Sequence, residues 1–488
     1  MIVTGELDLR LLTAFIVYSL IILGVGVWGY RKKSFEAYAV AERSMGLGLA
    51  TTAFVATFLS AVTIIGVSGY ASINGWAAAA FTCYGYALGW VLLVVAARRL
   101  YDVRLTTVPE FLGVRYESKG LRAFAALTVI ALYSITLVVQ LLAIGITMNT
   151  LIGTGVTFSI LLVGVIFVSY TMLGGLVSVL RTDMIQAGLL GAGVLLAAGV
   201  VLWETRGTVI TAPPAELGSF FGGSVASTSD FVGWMLVWGL GIPTQSYYLH
   251  RFYASRSARV ARGQIALGAL FVMVILVSVI IIGTGAGMLI PPNEVGDGAF
   301  PYLVKNVIGG WISLPILLAI TAAIHSTTDG LLHIVGLYFS VDVYETLKGK
   351  MEGAELLKVS RGATLVFGAI VTLVAAYVST NPIPLISLVG AIAWGGMASA
   401  LFAPLFAGMF WRGATRAGAL ASASGGLVFA IGAFTLRRLE LITLHEIYPG
   451  LITSLVLMFV VSRFTAATSE PTLERFFPAT PATAITMP

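Results

Sequence analysis

Two acidic residues fall inside apolar stretches of the sequence, Asp329 in the run from Ala322 to Gly336 and Asp183 in Arg181-Thr182-Asp183-Met184. A carboxylate within a membrane span costs about 2.5–3.5 kcal/mol on insertion scales, so it ordinarily faces protein or a water-filled path. Asp329 fits that reading. Asp183 stands near the expected start of a helix, where the helix dipole explains an acid equally well. Ala323, Ser326 and Thr327, at i, i+3 and i+4, share one helical face. Two hydroxyls with carbonyls freed from a broken neighbouring helix would make a weak Na+ site, because neutral oxygens suit hard cations. The same hydroxyls could equally back-bond to their own helix or pack as small groups against a neighbour. His325 and His333 have no relay partner fixed by the sequence and read as satisfied interior histidines.

Helix breaks would supply the free carbonyls. Trp238-Gly239-Leu240-Gly241-Ile242-Pro243 puts two glycines and a proline into six residues, which interrupts the backbone ladder. Such a break is tolerated in a membrane only where the freed groups are buried or line a wet cavity. The stretch from Ser44 to Gly69 has no proline but many small and hydroxyl residues, and unwinding near Ala56–Leu59 is possible there. Paired breaks in corresponding positions of two halves point to a transporter built from inverted repeats.

The elements that must position these residues follow from composition. The chain has 488 residues, 58% of them hydrophobic and only 10% charged, with a mean hydropathy of +0.96. Soluble domains carry about 25% charged residues, so a water-soluble fold could not cover its surface, and the chain is too apolar for disorder. A polytopic all-α membrane protein remains. Cys83, the one cysteine, excludes an intrachain disulfide and a cysteine metal site.

A window of about 20 apolar residues predicts thirteen spans, near 9–30, 47–71, 75–98, 122–151, 155–176, 183–203, 230–250, 263–290, 307–341, 361–379, 383–411, 416–436 and 446–463. With the N-terminus outside, 23 basic residues fall on the cytoplasmic side, among them Arg31, Lys32, Lys33, Arg115 and Arg251, and 5 fall outside. That asymmetry predicts an N-out, C-in topology. One membrane domain, 1–463, is expected: an extra helix at 9–30, repeats at 47–203 and 230–411, and two extra helices within 416–463. The tail 464–488, rich in Thr, Pro and Ala, is expected to be a disordered cytoplasmic end.

Several segments together resemble the sodium/solute symporter family, which includes proline, pantothenate, monocarboxylate and sugar transporters. They are Phe35-Glu36-Ala37-Tyr38, Arg43-Ser44-Met45-Gly46, Thr107 to Leu112 with Arg115-Tyr116, Tyr170-Thr171 through Gly174-Gly175-Leu176 to Thr182-Asp183 and Gln186, Arg251-Phe252-Tyr253-Ala254, and Ala323 to Asp329 closed by Asp342-Val343-Tyr344. The resemblance implies a leucine-transporter-like core of two inverted five-helix repeats. It also implies a sodium site on the carbonyls of Ala56, Leu59 and Ala323 and the hydroxyls of Ser326 and Thr327. Some members hold a second sodium with an acid at the position of Asp183, but Asp329 and Gly330 stand here where those members place hydroxyls. Trp238 matches a tryptophan of proline symporters, whereas Thr136 and Ile242 replace their tyrosines, which argues against assuming proline.

The expected function is Na+-coupled uptake of a small organic solute (an amino acid, monocarboxylate, pantothenate or sugar) by alternating access across the cell membrane. The alternative is proton coupling through Asp329 or Asp183; a solute sensor or channel is a weaker one. Phe58, Ser60, Thr63, Tyr84, Gln140, Trp238 and Gln245 are expected to face the central cavity. No enzymatic chemistry, cofactor beyond the coupling Na+, nucleic acid or obligate protein partner is expected; the lipid bilayer is the surrounding medium.

Overall fold

Hydroxyl residues begin many of the helices. In the computed structural model, which describes residues 7–29, 34–381 and 386–477, the side chains of Thr107, Ser118, Ser227, Ser257 and Thr415 each accept the backbone N–H three residues on. These caps satisfy donors that a helix start otherwise leaves open. No strand occurs among the described residues.

Numbered along the chain, the main helices are α1 (Leu9–Gly29), α2 (Phe35–Val40), α3 (Leu47–Phe58), α4 (Val67–Asn74), α5 (Ala77–Val103), α6 (Val108–Arg115), α7 (Lys119–Ile152) and α8 (Val156–Glu204). There follow α9 (Thr228–Gly241), α10 (Ser246–Ala254), α11 (Ala258–Leu289), α12 (Ser313–Tyr338), α13 (Gly353–Val378), α14 (Ile386–Met397), α15 (Ala403–Phe410), α16 (Arg416–Arg438), α17 (Ile447–Arg463) and α18 (Glu470–Phe476). By length and composition, 8 helices among the described residues could cross a membrane, or 9 if the bent pair around residue 60 is one span.

Two sequence expectations change. The spans expected at 155–176 and 183–203 are found as the two limbs of α8, two helices that meet at a kink, and the place of that kink changes the reading of Asp183. At 1.5 Å per residue the 49 residues of α8 hold about 74 Å of helix in the two limbs together, enough for two crossings of a bilayer core. The run bends at Gly175, whose φ of 57° and ψ of −156° are not helical. A Cβ there would sit 2.3 Å from the Tyr38 ring, so both the backbone and the packing require glycine. Asp183 therefore lies two turns beyond a bend, not in the first turn after a loop, and the dipole explanation falls away.

The second change is in the tail. Residues 470–476 form α18, which buries Leu473 and Phe476. Phe476 meets Phe111 of α6 edge-on at 5.3 Å, and Glu117 accepts from Ser469 and Thr472. Buried Arg115 donates to the carbonyls of Gly408 and Trp411, each at 3.0 Å, and to Thr468 at 3.1 Å. The disordered reading is thus corrected for 464–477. Residues 478–488, Arg31, Lys32 and Lys33, and the expected span start at 383 lie outside the described residues.

Candidate functional site

The first break follows α3. Leu59 leaves helical geometry (φ −86°, ψ 85°), and the axis turns by 51° before the chain continues into α4. Freed backbone groups find partners nearby, as burial demands. Ala61 N–H donates to Gln140 Oε1 at 2.9 Å, Thr63 N–H to Ser60 Oγ at 3.4 Å, and Thr63 Oγ1 to the Phe58 carbonyl at 3.3 Å.

The hydroxyl face of α12 packs against this break. Ser326 Oγ donates to the carbonyls of Ala56 (2.7 Å) and Ala323 (3.1 Å). Thr327 Oγ1 reaches those of Thr57 (3.1 Å) and Ala323 (3.4 Å). Ala56, Leu59, Ala323, Ser326 and Thr327 are all buried. The back-bonding reading and the inter-helix reading are both realised: each hydroxyl bridges its own helix to α3. The result is a buried patch of neutral oxygens without nitrogen or sulfur, a donor set that fits Na+.

The second break separates α9 from α10. Ile242–Thr244 form a 3-10 turn, with Gln245 N–H on the Ile242 carbonyl at 3.1 Å and Thr244 Oγ1 on the Gly241 carbonyl at 2.7 Å. Tyr247 N–H, in the first turn of α10, donates to Tyr133 OH at 3.2 Å. Tyr133 and Gln140 are seven residues apart on α7 and so lie on one face. One helix thus supports the restart of both broken ones.

Aromatic rings fill the space between the breaks. Phe58 stacks on Tyr248 (5.2 Å, 14° between planes) and meets Tyr86 at 5.0 Å and Trp90 at 5.4 Å. Trp238 lies 5.3 Å from both Tyr86 and Trp394. Of the expected cavity residues, Phe58, Ser60, Thr63, Gln140, Trp238 and Gln245 are buried at the breaks or in this cluster. Tyr84 does not join them. It is 50% exposed and packs on Phe220 and Phe231. The error is one of helix phase, since Phe81, Tyr86 and Trp90 are the aromatic residues of α5 that meet this cluster. Trp394, Tyr248 and Tyr133 were missed because ordinary core aromatics look the same in sequence.

Asp183 and Asp329 come together with partners of their own. Asp183 Oδ2 accepts from Arg251 Nη2 at 2.6 Å, with both side chains buried. The same Nη2 contacts Thr57 Oγ1 at the end of α3. Arg251, counted as a loop charge from the sequence, is therefore an interior residue of α10. Asp329 Oδ2 accepts from Tyr170 OH (3.1 Å) and Thr182 Oγ1 (3.4 Å). Oδ1 of each acid has no hydrogen-bond partner among the described residues. His325 packs near Tyr18 and His333 near Tyr38, buried, and neither ring makes a hydrogen bond there. Both are interior histidines as expected, but their nitrogens are not satisfied by protein groups.

The sodium:solute symporter family model matches residues 38–426. A sodium/proline symporter of Staphylococcus aureus (strain bovine RF122 / ET3-1) is 28% identical over 484 residues, covering 92% of this chain and 91% of the relative. A Na+-coupled sialic acid symporter, solved substrate-bound and outward-open, superposes with a TM-score of 0.80 at 20% identity, over 95% of this chain and 99% of that one. A nucleobase–cation symport-1 family transporter, solved closed with bromovinylhydantoin bound, gives a TM-score of 0.54 at 14% identity, over 90% and 97% of the two chains.

Proposed function

The chain belongs to the sodium:solute symporter family, and from that premise we propose that its coupling ion is held between α3 and α12 by the carbonyls of Ala56, Leu59 and Ala323 and the hydroxyls of Ser326 and Thr327. The protein is a multi-pass membrane transporter that couples uptake of a small organic solute to Na+. The observation that carries the assignment is the pair of α12 hydroxyls resting on the carbonyls next to the α3 break. An arriving Na+ turns those hydroxyls from donors into ligands and takes their place on the carbonyls, tying α12 to α3. Residues 47–203 and 230–411 serve as the two inverted repeats, with the N-terminus outside and the C-terminus inside.

Coupling then needs only reciprocal preference. If Na+ favours the state that binds solute, solute raises Na+ affinity by the same factor. One positive charge moving inward gains about 2.3 kcal/mol per 100 mV, enough to concentrate a neutral solute tens-fold before the sodium gradient is counted. Proton coupling has less support, because Arg251 already engages Asp183. Ser326→Ala and Thr327→Ala should each raise the Na+ concentration for half-maximal uptake by about 10-fold, the loss of one ligand to a charge. Unchanged Na+ activation in proteoliposomes would remove these residues from the site.

A further inference from the structure

Far from the two breaks, the C-terminal end of α5 meets the N-terminal end of α11, and arginines gather there. Two adjoining clefts of about 520 Å³ each open between the helix ends. Arg98, Arg259 and Arg262 line one, and Arg98, Arg99 and Arg262 the other, with Asp102 the one acid on either wall. Arg98 Nε lies 3.5 Å from Asp102, but both side chains are more than half exposed, and such pairs bind weakly. Arg99 sits over the Phe410 ring of α15 at 5.8 Å. Arg259 and Arg262 are exposed and make no ion pair or side-chain hydrogen bond among the described residues. The clefts have a fixed floor, because Tyr101 OH donates to the Arg256 carbonyl at 3.2 Å and ties the end of α5 to the link before α11. A basic excess on the cytoplasmic side orients a membrane chain. It does not require four arginines from two helices far apart in sequence to converge on one pair of clefts.

Away from the arginines the same helix faces turn apolar. Val91, Val95, Arg98 and Asp102 follow at three- and four-residue steps along α5, and Arg259, Arg262, Ala266 and Leu270 do so along α11. Val91 is 61% exposed and Leu270 67%. We infer that the clefts bind an anionic phospholipid with two phosphates, of the cardiolipin class, its phosphates on the arginines and its acyl chains along these two apolar faces. Four arginines and one acid leave three positive charges. A lipid with one phosphate offsets only part of that charge, whereas two phosphates, one in each cleft, nearly balance it. Guanidinium groups take phosphate oxygens in pairs, so the arginines suit this headgroup in shape as well as in charge. Basic pockets between membrane helices on the cytoplasmic side are where such headgroups bind, and in the orientation proposed above these helix ends face the cytoplasm. A free polyphosphate would use the arginines and leave the apolar faces idle. The bound lipid clasps α5, which carries Tyr86 and Trp90, to α11.

The test is native mass spectrometry of the full chain in detergent, titrated with cardiolipin, phosphatidylglycerol or phosphatidylcholine. Cardiolipin should bind at least ~10-fold more tightly than phosphatidylglycerol, because its second phosphate engages further arginines. The double variant Arg259→Gln, Arg262→Gln should weaken cardiolipin binding by about 25-fold, fivefold for each arginine. Arg416→Gln with Arg463→Gln removes two exposed arginines assigned to the same side but outside the clefts, and should change binding less than about twofold. All four side chains are exposed, so both double variants should unfold in lipid-free detergent at the parent's midpoint. Added cardiolipin should then raise the midpoint of the parent and the Arg416, Arg463 variant, but not that of the Arg259, Arg262 variant. Equal affinity of the parent for cardiolipin and phosphatidylglycerol would overturn the inference. So would equal weakening in the two double variants, which would mean diffuse attraction to the whole basic side. Displacement of cardiolipin by pyrophosphate at equal concentration would also overturn it, by showing that the apolar faces contribute nothing.

Discussion

Between Phe58 and Ala61 the chain breaks without a proline or glycine, whereas between Gly241 and Ser246 it breaks at a proline in a glycine-rich run. The first break is held from outside: Gln140 takes its N–H group, and the hydroxyls of α12 rest on its carbonyls. The second is held largely from within, by the 3-10 turn and Thr244, with Tyr133 as its outside support. A break that depends on partners responds to whatever displaces them, which suits a place where an ion must be felt. A break written into its own sequence keeps its shape while neighbours move.

Arg251 joins the two, and its removal should have the largest effect. It belongs to α10, just after the second break, and contacts Thr57 at the first and Asp183 on α8. Arg251→Met would strand a buried carboxylate, a loss of about 3–5 kcal/mol. The double variant Asp183→Asn, Arg251→Met removes both charges and should recover more than half of that. Chemical unfolding in detergent measures the difference. Equal stability of the single and double variants would mean that the pair does not tie the breaks together.

A smaller effect should separate the two breaks by function. Tyr133→Phe leaves Tyr247 N–H without its partner at the second break, a penalty of about 1–3 kcal/mol for a buried donor. It should raise the solute KM by about 10-fold while the Na+ half-saturation, measured at saturating solute, moves less than about threefold, as expected of a site that is not in contact. Thr327→Ala, at the first break, should do the reverse. If both variants shifted both parameters alike, the division of labour would be wrong.

The same contrast explains what could be read in the sequence. The second break was legible because glycine and proline act locally on the backbone. The first was suggested only by small residues and by family resemblance, since its cause, Gln140, lies 79 positions away. The hydroxyl pair on α12 was legible as a helical face, but not the carbonyls beneath it. The family resemblance placed Phe58 and Trp238 in the interior but also Tyr84, which is exposed, because a helix rich in aromatics on several sides does not declare which side is inward. Arg251 was misread for a related reason: an arginine near a span end resembles any cytoplasmic charge until its carboxylate partner, 68 residues away, is known. The ordered tail escaped detection because α18 is only 7 residues long and its stability comes from α6.

The smallest effect is expected where the sequence is loudest. Pro243 lies in a turn already closed by the Gln245 to Ile242 backbone bond and by Thr244 on Gly241. The close approaches around it are made by glycines, since a Cβ at Gly241 would come within 3.0 Å of the Trp394 carbonyl and one at Gly89 within 2.6 Å of Ile242. Pro243→Ala keeps all of these and gives up only the preset φ, a change of about 0.4–1 kcal/mol felt through the unfolded chain. Transport should stay within about twofold of the parent, with a slightly lower unfolding midpoint. A large loss of uptake with the fold intact would show that the proline itself sets the break, and the second break would then depend on one residue as the first depends on Gln140.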